Sequence, residues 1–361
     1  MINLLWLAGG LVVLVWGAEL LVKGASRLAA AFGIAPLIIG LTVVAFGTSA
    51  PELAVSVMAG MAGKAELAVG NVVGSNIANI LLVLGMAAVV APLAVARQLI
   101  RLDLPLMVAA SATVVVMALD GAISRGEGAL LFAGVVAYTL FLIVQARRDK
   151  AAAVAADDEF EREFGLHEAP GWHSHLRNGG LLLAGLVMLV AGSKALVTGA
   201  VAIAVSLGVS EMVIGLTIVA VGTSLPEVAT SVVASMRGER DIAVGNVVGS
   251  NIFNLLSVLG LSSLVTSGGL PVPASAIAVD LPLMLGVALV CLPIFFSGWR
   301  ITRSEGALFL LAYVAYTSWL CLDALANPVA APLGHGLLWY GVPLALLVIA
   351  VSLYRDRHLH R

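Results

Sequence analysis

Residues 40–60 read GLTVVAFGTSAPELAVSVMAG, and residues 215–235 read GLTIVAVGTSLPEVATSVVAS. A second pair follows: AVGNVVGSNIANILLVLG at 68–85 returns as AVGNVVGSNIFNLLSVLG at 243–260. Both pairs keep one offset, 175 residues (227 − 52). Weaker echoes extend outward with small shifts. DLPLM at Asp103 recurs at Asp280, and ISRGEGALL at Ile123 recurs as ITRSEGALF at Ile301. The chain is therefore a duplicated unit.

The setting of the repeat is apolar. The chain has 361 residues, 61% hydrophobic and 11% charged. Soluble domains run near 45–50% apolar and about 25% charged. Apolar runs long enough to cross a bilayer recur throughout. About eleven spans are expected, near 3–28, 34–62, 67–92, 102–120, 127–146, 178–203, 209–236, 242–267, 278–297, 304–322 and 336–354. The first run has no basic leader or small-residue cleavage pattern and reads as a retained helix. The long polar interruption, Arg147 to Arg177, reads as an aqueous linker. A net charge of −2 implies no polyanion partner, so no nucleic acid is expected. Cys291 and Cys321 lie inside apolar runs and do not suggest a disulfide framework.

Placing the N-terminus outside puts 16 of the 19 Lys and Arg residues on the cytoplasmic side and leaves only Lys64, Arg125 and Lys194 elsewhere. The positive-inside rule favours that orientation, with linker and C-terminus cytoplasmic. The membrane is expected to be a prokaryotic cell (inner) membrane. The expected division is a first five-helix repeat at 1–146, the linker at 147–177, a second repeat at 178–322, and an extra transmembrane helix with a tail at 323–361. Five spans per repeat is an odd number, so the two copies enter the membrane from opposite sides. Inverted repeats of this kind build secondary transporters with a site near the midplane.

Glu52 and Glu227 stand in the middle of long apolar spans, where a lone carboxylate costs a few kcal/mol or more. At equivalent positions of an inverted repeat they are expected to converge. Facing carboxylates repel, and a bound cation relieves them. One divalent ion matches two Glu charges, and so do two monovalent ions or protons; competition between these occupants is the basis of an antiporter. The surroundings suit a hard cation, since Ca²⁺ takes 6–8 oxygen ligands. Each copy supplies Thr-Ser-x-Pro-Glu: Thr48, Ser49, Pro51 and Glu52, then Thr223, Ser224, Pro226 and Glu227. Proline lacks an N–H and clashes with the carbonyl four residues back. Pro51 is expected to free carbonyls around Ala45 to Gly47, and Pro226 those around Ala220 to Gly222. Ser75 shares a helix face with Asn79, and Ser250 with Asn254. Asn71, Asn76, Asn246 and Asn251 are expected to bond between helices, with Gly70, Gly74, Gly245 and Gly249 allowing close approach. No His or Cys lies near either motif, so iron, copper and zinc fit poorly.

GTSAPE with GNVVGSNIAN, and GTSLPE with GNVVGSNIFN, resemble the two alpha-repeats of the calcium/cation antiporter superfamily, in its prokaryotic sodium/calcium exchanger branch. The resemblance covers about residues 1–322. It implies an all-α polytopic membrane protein with a ten-helix core of two inverted five-helix repeats, here with an extra C-terminal helix. It implies that the second, third, seventh and eighth helices hold the ions while the long first and sixth slide. It implies ligands at Glu52, Glu227, Thr48, Thr223, Ser49, Ser224, Ser75, Ser250, Asn79 and Asn254, with carbonyls from Ala45 and Ala220. Several members carry Asp where this chain has Asn254, so this site keeps two acidic ligands.

The expected function is exchange of Ca²⁺ for Na⁺ by alternating access, with inorganic cations and the lipid bilayer as partners. No cofactor, obligate protein partner or catalytic residue is expected. The alternative within transport is a cation/H⁺ antiporter moving Ca²⁺, Mn²⁺ or Mg²⁺. An intramembrane enzyme using Ser49 or Ser224 would lack a His or Lys base, and a channel would not need proline-broken inverted halves. Asp103 and Asp280, before Leu-Pro, read as helix caps; Glu66 and Asp241 read as helix-start acids. Glu19 and Lys194, equivalent by the offset, read as partnered or snorkelling charges. His167, His173 and His175 read as part of a solvated loop.

Overall fold

In the computed structural model, the structure describes residues 2–32, 34–164, 172–208, 218, 220–296 and 298–336. The eleventh expected span, the C-terminal tail, His167 and much of the start of the seventh span lie outside the described residues. Thirteen helices carry the described chain: α1 (Ile2–Phe32), α2 (Pro36–Thr48), α3 (Ala50–Met61), α4 (Ala65–Val90), α5 (Leu99–Asp120), α6 (Arg125–Phe164), α7 (Trp172–Ser206), α8 (Ala220–Thr223), α9 (Leu225–Met236), α10 (Arg240–Val265), α11 (Ala276–Phe296), α12 (Arg303–Ala324) and α13 (Ala330–Gly336). Among the described residues, eight helices are long and apolar enough to cross a membrane, or nine if α2 and α3, bent by 46° at their break, are counted together as one span. The protein is a multi-pass, mostly helical membrane protein.

Four short strands show how the halves are related: β1 (Leu93–Ala94), β2 (Ala122–Ile123), β3 (Leu270–Pro271) and β4 (Arg300–Ile301). By the sequence repeat, β1 corresponds to β3 and β2 to β4. Yet β1 pairs antiparallel with β4, and β2 with β3. Helix α5 runs from β1 to β2, a length of membrane-spanning helix. Equivalent strands therefore sit at opposite ends of the bundle, and the repeats are inverted. Polar contacts repeat the relation. Arg125 Nε donates to Leu264 O at 2.9 Å, and Arg303 Nη2 donates to Val90 O at 3.3 Å. Each arginine thus satisfies the last turn of a helix in the other half. Both start helices with capping boxes, Ser124 with Glu127 and Thr302 with Glu305.

Inside the bundle, α4 and α10 are the most enclosed spans, while α12 lies at the rim. Large apolar side chains such as Leu5, Met58 and Val187 are exposed, as they are on a lipid-facing surface. Helices α1 and α7 press together backbone to backbone through Gly10, Gly17 and Gly24 on one and Gly185, Gly192 and Gly199 on the other. A Cβ at Gly17 would lie 2.8 Å from Leu189 N, and one at Gly24 2.7 Å from Leu182 N. Small residues on a regular spacing give membrane helices this approach.

Two expectations need correction. The helix of the fifth expected span does not end near 146: α6 continues to Phe164, through an alanine-rich segment of strong helix formers. Asp103 and Asp280 are not caps. A π-helical turn precedes each (Leu99–Asp103, Ala276–Asp280), so both aspartates lie within a continuous helix. Tyr138 Oη donates to Asp103 Oδ1 at 2.9 Å and Tyr316 Oη to Asp280 Oδ1 at 3.2 Å. Of the four motif glycines, Gly245 and Gly249 meet Leu37 O and Leu41 O closely. Gly70 and Gly74 meet nothing within 4 Å among the described residues; their equivalent neighbours, at 212 and 216, lie outside these.

Candidate ion-binding site

The local fold places two carboxylates at two breaks. At Ser49 the backbone leaves the helix (φ −83°, ψ 5°), and at Ser224 it does the same (φ −88°, ψ 4°). Pro51 and Pro226 then sit in the first turn of α3 and α9, where a missing N–H costs nothing. Glu52 and Glu227 follow in those first turns, at the positive ends of the helix dipoles. Both are 0% exposed.

The halves interlock through these breaks. Ser49 Oγ donates to Glu227 Oε1 at 3.1 Å, and Ser224 Oγ donates to Glu52 Oε1 at 3.4 Å. Thr48 lies beside Glu227 and Thr223 beside Glu52. Ser224 Oγ also lies 3.4 Å from Ser75 Oγ, and Thr48 Oγ1 3.5 Å from Ser250 Oγ. Asn79 and Asn254 start π-helical stretches in α4 and α10 (Asn79–Leu84, Asn254–Val258) and are buried. Local π-helix inside an α-helix frequently marks a functional position. The structure thus gathers Thr48, Ser49, Glu52, Ser75, Thr223, Ser224, Glu227 and Ser250 from both repeats, with Asn79 and Asn254 buried alongside on α4 and α10.

What these atoms lack is as informative as what they hold. Glu52 Oε2, Glu227 Oε2, Asn79 Oδ1 and Asn254 Oδ1 are buried with no hydrogen-bond partner among the described residues. Buried polar atoms are normally satisfied. Asn254 Nδ2 is unpartnered among these residues as well, so that amide can turn either end to the centre. The two carboxylate oxygens and Asn79 Oδ1 are acceptors without donors; they call for a partner that offers positive charge, and oxygen ligands suit a hard cation.

The backbone part of the expected set differs in detail. Ala45 O is not freed by Pro51: it accepts Ser49 N–H at 3.0 Å and is reached by Thr48 Oγ1 at 3.3 Å. Only its remaining lone pair is open to an ion. The carbonyl four residues before the proline is Gly47, or Gly222 in the second copy. Gly222 O accepts Ser193 Oγ at 2.6 Å, whereas the equivalent of Ser193 is Ala18, which has no donor to offer Gly47. Ala220 opens the short α8 before the second break.

The motif asparagines form the layer behind. Asn71 Nδ2 donates to Ser56 Oγ at 2.9 Å and Glu52 O at 3.2 Å. Asn246 Nδ2 donates to Ser231 Oγ at 3.0 Å. Asn79 Nδ2 donates to Asn251 Oδ1 at 3.1 Å. Ser56, Ser231 and the Tyr–Asp pairs were not singled out by sequence reading. The signal for the two serines is their recurrence at the repeat offset.

A family model described as "Sodium/calcium exchanger protein" matches residues 2–144 and 178–322. The chain belongs to the sodium/calcium exchanger protein family. The exchanger is 38% identical to the Escherichia coli inner membrane protein YrbG, with 89% of this chain and 96% of YrbG covered. It is 34% identical to the sodium/calcium exchanger MaX1 of Methanosarcina acetivorans, covering 87% and 97%. Its fold is similar to that of the sodium-calcium exchanger NCX_Mj, with a TM-score of 0.74, 30% identity and coverage of 87% and 97%. Relatives of this exchanger are transporters, and it is a membrane antiporter of inorganic cations, not an enzyme.

Proposed function

We propose that the exchanger carries Ca²⁺ in one direction and Na⁺ in the other, by alternating access at a single site between its halves. The observation that carries the reading is the pair of fully buried carboxylates, each with one oxygen left without a donor among the described residues. Glu52 and Glu227 are the charged ligands in this reading. Thr48, Thr223, Ser49, Ser224, Ser75, Ser250, Asn79 and Asn254 supply hydroxyl and amide oxygens, and Ala45 and Ala220 supply carbonyls. Names of relatives, MaX1 and NCX_Mj among them, support Na⁺ and Ca²⁺ as the ions.

Two glutamates allow one Ca²⁺ or two monovalent ions. A third Na⁺ would leave uncompensated charge in a low-dielectric site, at a cost of several kcal/mol. Exchange in this reading is close to electroneutral. The neutral Asn254 also gives the H⁺-coupled alternative its support, since two protons discharge two glutamates equally well. Orientation follows the basic residues: N-terminus outside, linker and C-terminus cytoplasmic. The working unit is the two repeats, 1–146 and 178–322, joined by 147–177, with the segment 323–361 outside it.

The deciding experiment is Ca²⁺ uptake into proteoliposomes under an imposed Na⁺ gradient and, separately, an imposed H⁺ gradient. Uptake driven by Na⁺ alone supports the proposal. Uptake driven by H⁺ at constant Na⁺ replaces it with the alternative.

A further inference from the structure

A threonine that binds a cation must turn its lone pairs to the ion and send its one proton elsewhere. Thr48 Oγ1 has competing acceptors: Asn246 Oδ1 at 3.1 Å, Ala45 O at 3.3 Å, Ser250 Oγ at 3.5 Å and the neighbouring Glu227 carboxylate. If the proton went to Ala45 O or Glu227, it would occupy an oxygen the ion needs. Asn246 is the acceptor outside the ligand set. It is fully buried, on α10 of the other repeat.

The direction of the Asn246 amide is set from behind. Asn246 Nδ2 donates to Ser231 Oγ at 3.0 Å, and Ser231 Oγ donates to Ala243 O at 3.4 Å. An amide whose NH₂ is spent on Ser231 presents its carbonyl oxygen to Thr48. Donors therefore run in one sense, from Thr48 to Asn246 to Ser231 to the α10 backbone, away from the carboxylates. Proton order of this kind leaves Thr48 as a pure acceptor towards the centre.

We infer that Asn246 is a positioning residue for ion binding: it takes the Thr48 hydroxyl proton and so turns Thr48 and Ala45 O into ligands for a divalent cation. The inference rests on the reading of Thr48 as a ligand given under the proposed function. Outer partners of metal ligands change affinity by about 10–100-fold when removed.

The test is a double-mutant cycle on Ca²⁺ transport by the purified full chain in proteoliposomes, reading half-saturating Ca²⁺ separately from maximal rate. Asn246→Ala is expected to raise half-saturating Ca²⁺ by about tenfold, and Thr48→Val to raise it at least as much. In the Thr48→Val background, Asn246→Ala is expected to add nothing. Ser231→Ala, which frees the amide to turn, keeps the cycle usable should Asn246→Ala fail to fold; its smaller rise is also expected to vanish in the Thr48→Val background. If Asn246→Ala or Ser231→Ala raises half-saturation by the same factor with and without the threonine hydroxyl, the inference is overturned while the ligand reading stands. If Thr48→Val alone leaves half-saturation unchanged, the ligand reading of Thr48 falls, and the inference with it.

Discussion

Ser49 and Glu227 stand 178 positions apart in the chain and are joined by a 3.1 Å hydrogen bond in which Ser49 Oγ donates to Glu227 Oε1. Ser224 and Glu52 repeat the relation at 3.4 Å with the halves exchanged. Each carboxylate is thus steadied by the broken helix that carries the other. A movement that separates the two breaks must also disturb both carboxylates, which ties the candidate ion site to the relation between halves.

Removing either charge should abolish exchange without unfolding the protein. Breaking a buried charge pairing costs about 3–5 kcal/mol, which is about two to three and a half decades in affinity. Glu52→Gln and Glu227→Gln keep the shape and one hydrogen-bonding oxygen. The expected result is Ca²⁺ flux reduced by about 100-fold or more in protein that elutes as a single folded species. Near-normal flux in either variant would contradict the site.

One end of the bundle carries a polar latch that the repeat does not duplicate. Glu19 of α1 pairs with Arg237 beyond α9 at 2.9 Å, and Ser26 Oγ donates to Glu239 Oε1 at 2.6 Å. The equivalent positions hold Lys194 with Ala62 and Val201 with Lys64, which offer no such pairs. Glu19 and Arg237 are well exposed, so their pairing is worth about 0–1 kcal/mol. The half-buried Ser26 bond to a carboxylate is worth about 1.5–3 kcal/mol. Ser26→Ala should therefore open this end more than Glu19→Ala does. Thiol labelling of a cysteine placed at Ile242, which is buried in the first turn of α10, reads the difference; equal labelling in both variants would refute the ranking.

In the proposed eleven-span topology, sixteen of nineteen basic residues would fall on the cytoplasmic side, which supports the proposed orientation. A cysteine introduced in the linker near Phe160 should resist membrane-impermeant thiol reagents on whole cells and react in inverted vesicles. Labelling from outside would reverse the orientation.

Asn254 is the position at which charge counting can be altered by one unit. Asn254→Asp adds a third acidic side chain among buried oxygens and should make exchange more dependent on Na⁺ and on voltage. Flux at clamped membrane potentials measures this. A wild-type protein that already moves one net charge per cycle would show that dipoles, rather than carboxylates, hold a third ion.

The buried polar cluster that forms the candidate site was legible in the sequence because polar groups in a bilayer interior are costly, and the repeat shows them twice. Glu52, Glu227 and their hydroxyl neighbours stood out for that reason. Inversion was legible from an odd span count. Less was readable where backbone geometry decides. Asp-Leu-Pro at Asp103 has the composition of a helix start, but the preceding π-turn carries the helix straight through it, and only the fold reveals Tyr138 as its partner. Ala45 was expected to be freed because the proline rule gives a region; the actual break at Ser49 leaves its helical hydrogen bond intact. The cross-repeat pairing of Ser49 with Glu227 needs the packing of two halves and has no local signal.

The central claim is that one site, shared by Glu52 and Glu227, holds either Ca²⁺ or its monovalent counter-ions. Equilibrium binding of radioactive Ca²⁺ to the purified full chain, titrated with Na⁺ and with H⁺, tests it most directly. The account predicts one Ca²⁺ per chain, displaced competitively by Na⁺ with two Na⁺ for each Ca²⁺, and lost in both Glu52→Gln and Glu227→Gln. Ca²⁺ binding that survives in both variants, or that persists unchanged under saturating Na⁺ and low pH, would contradict it.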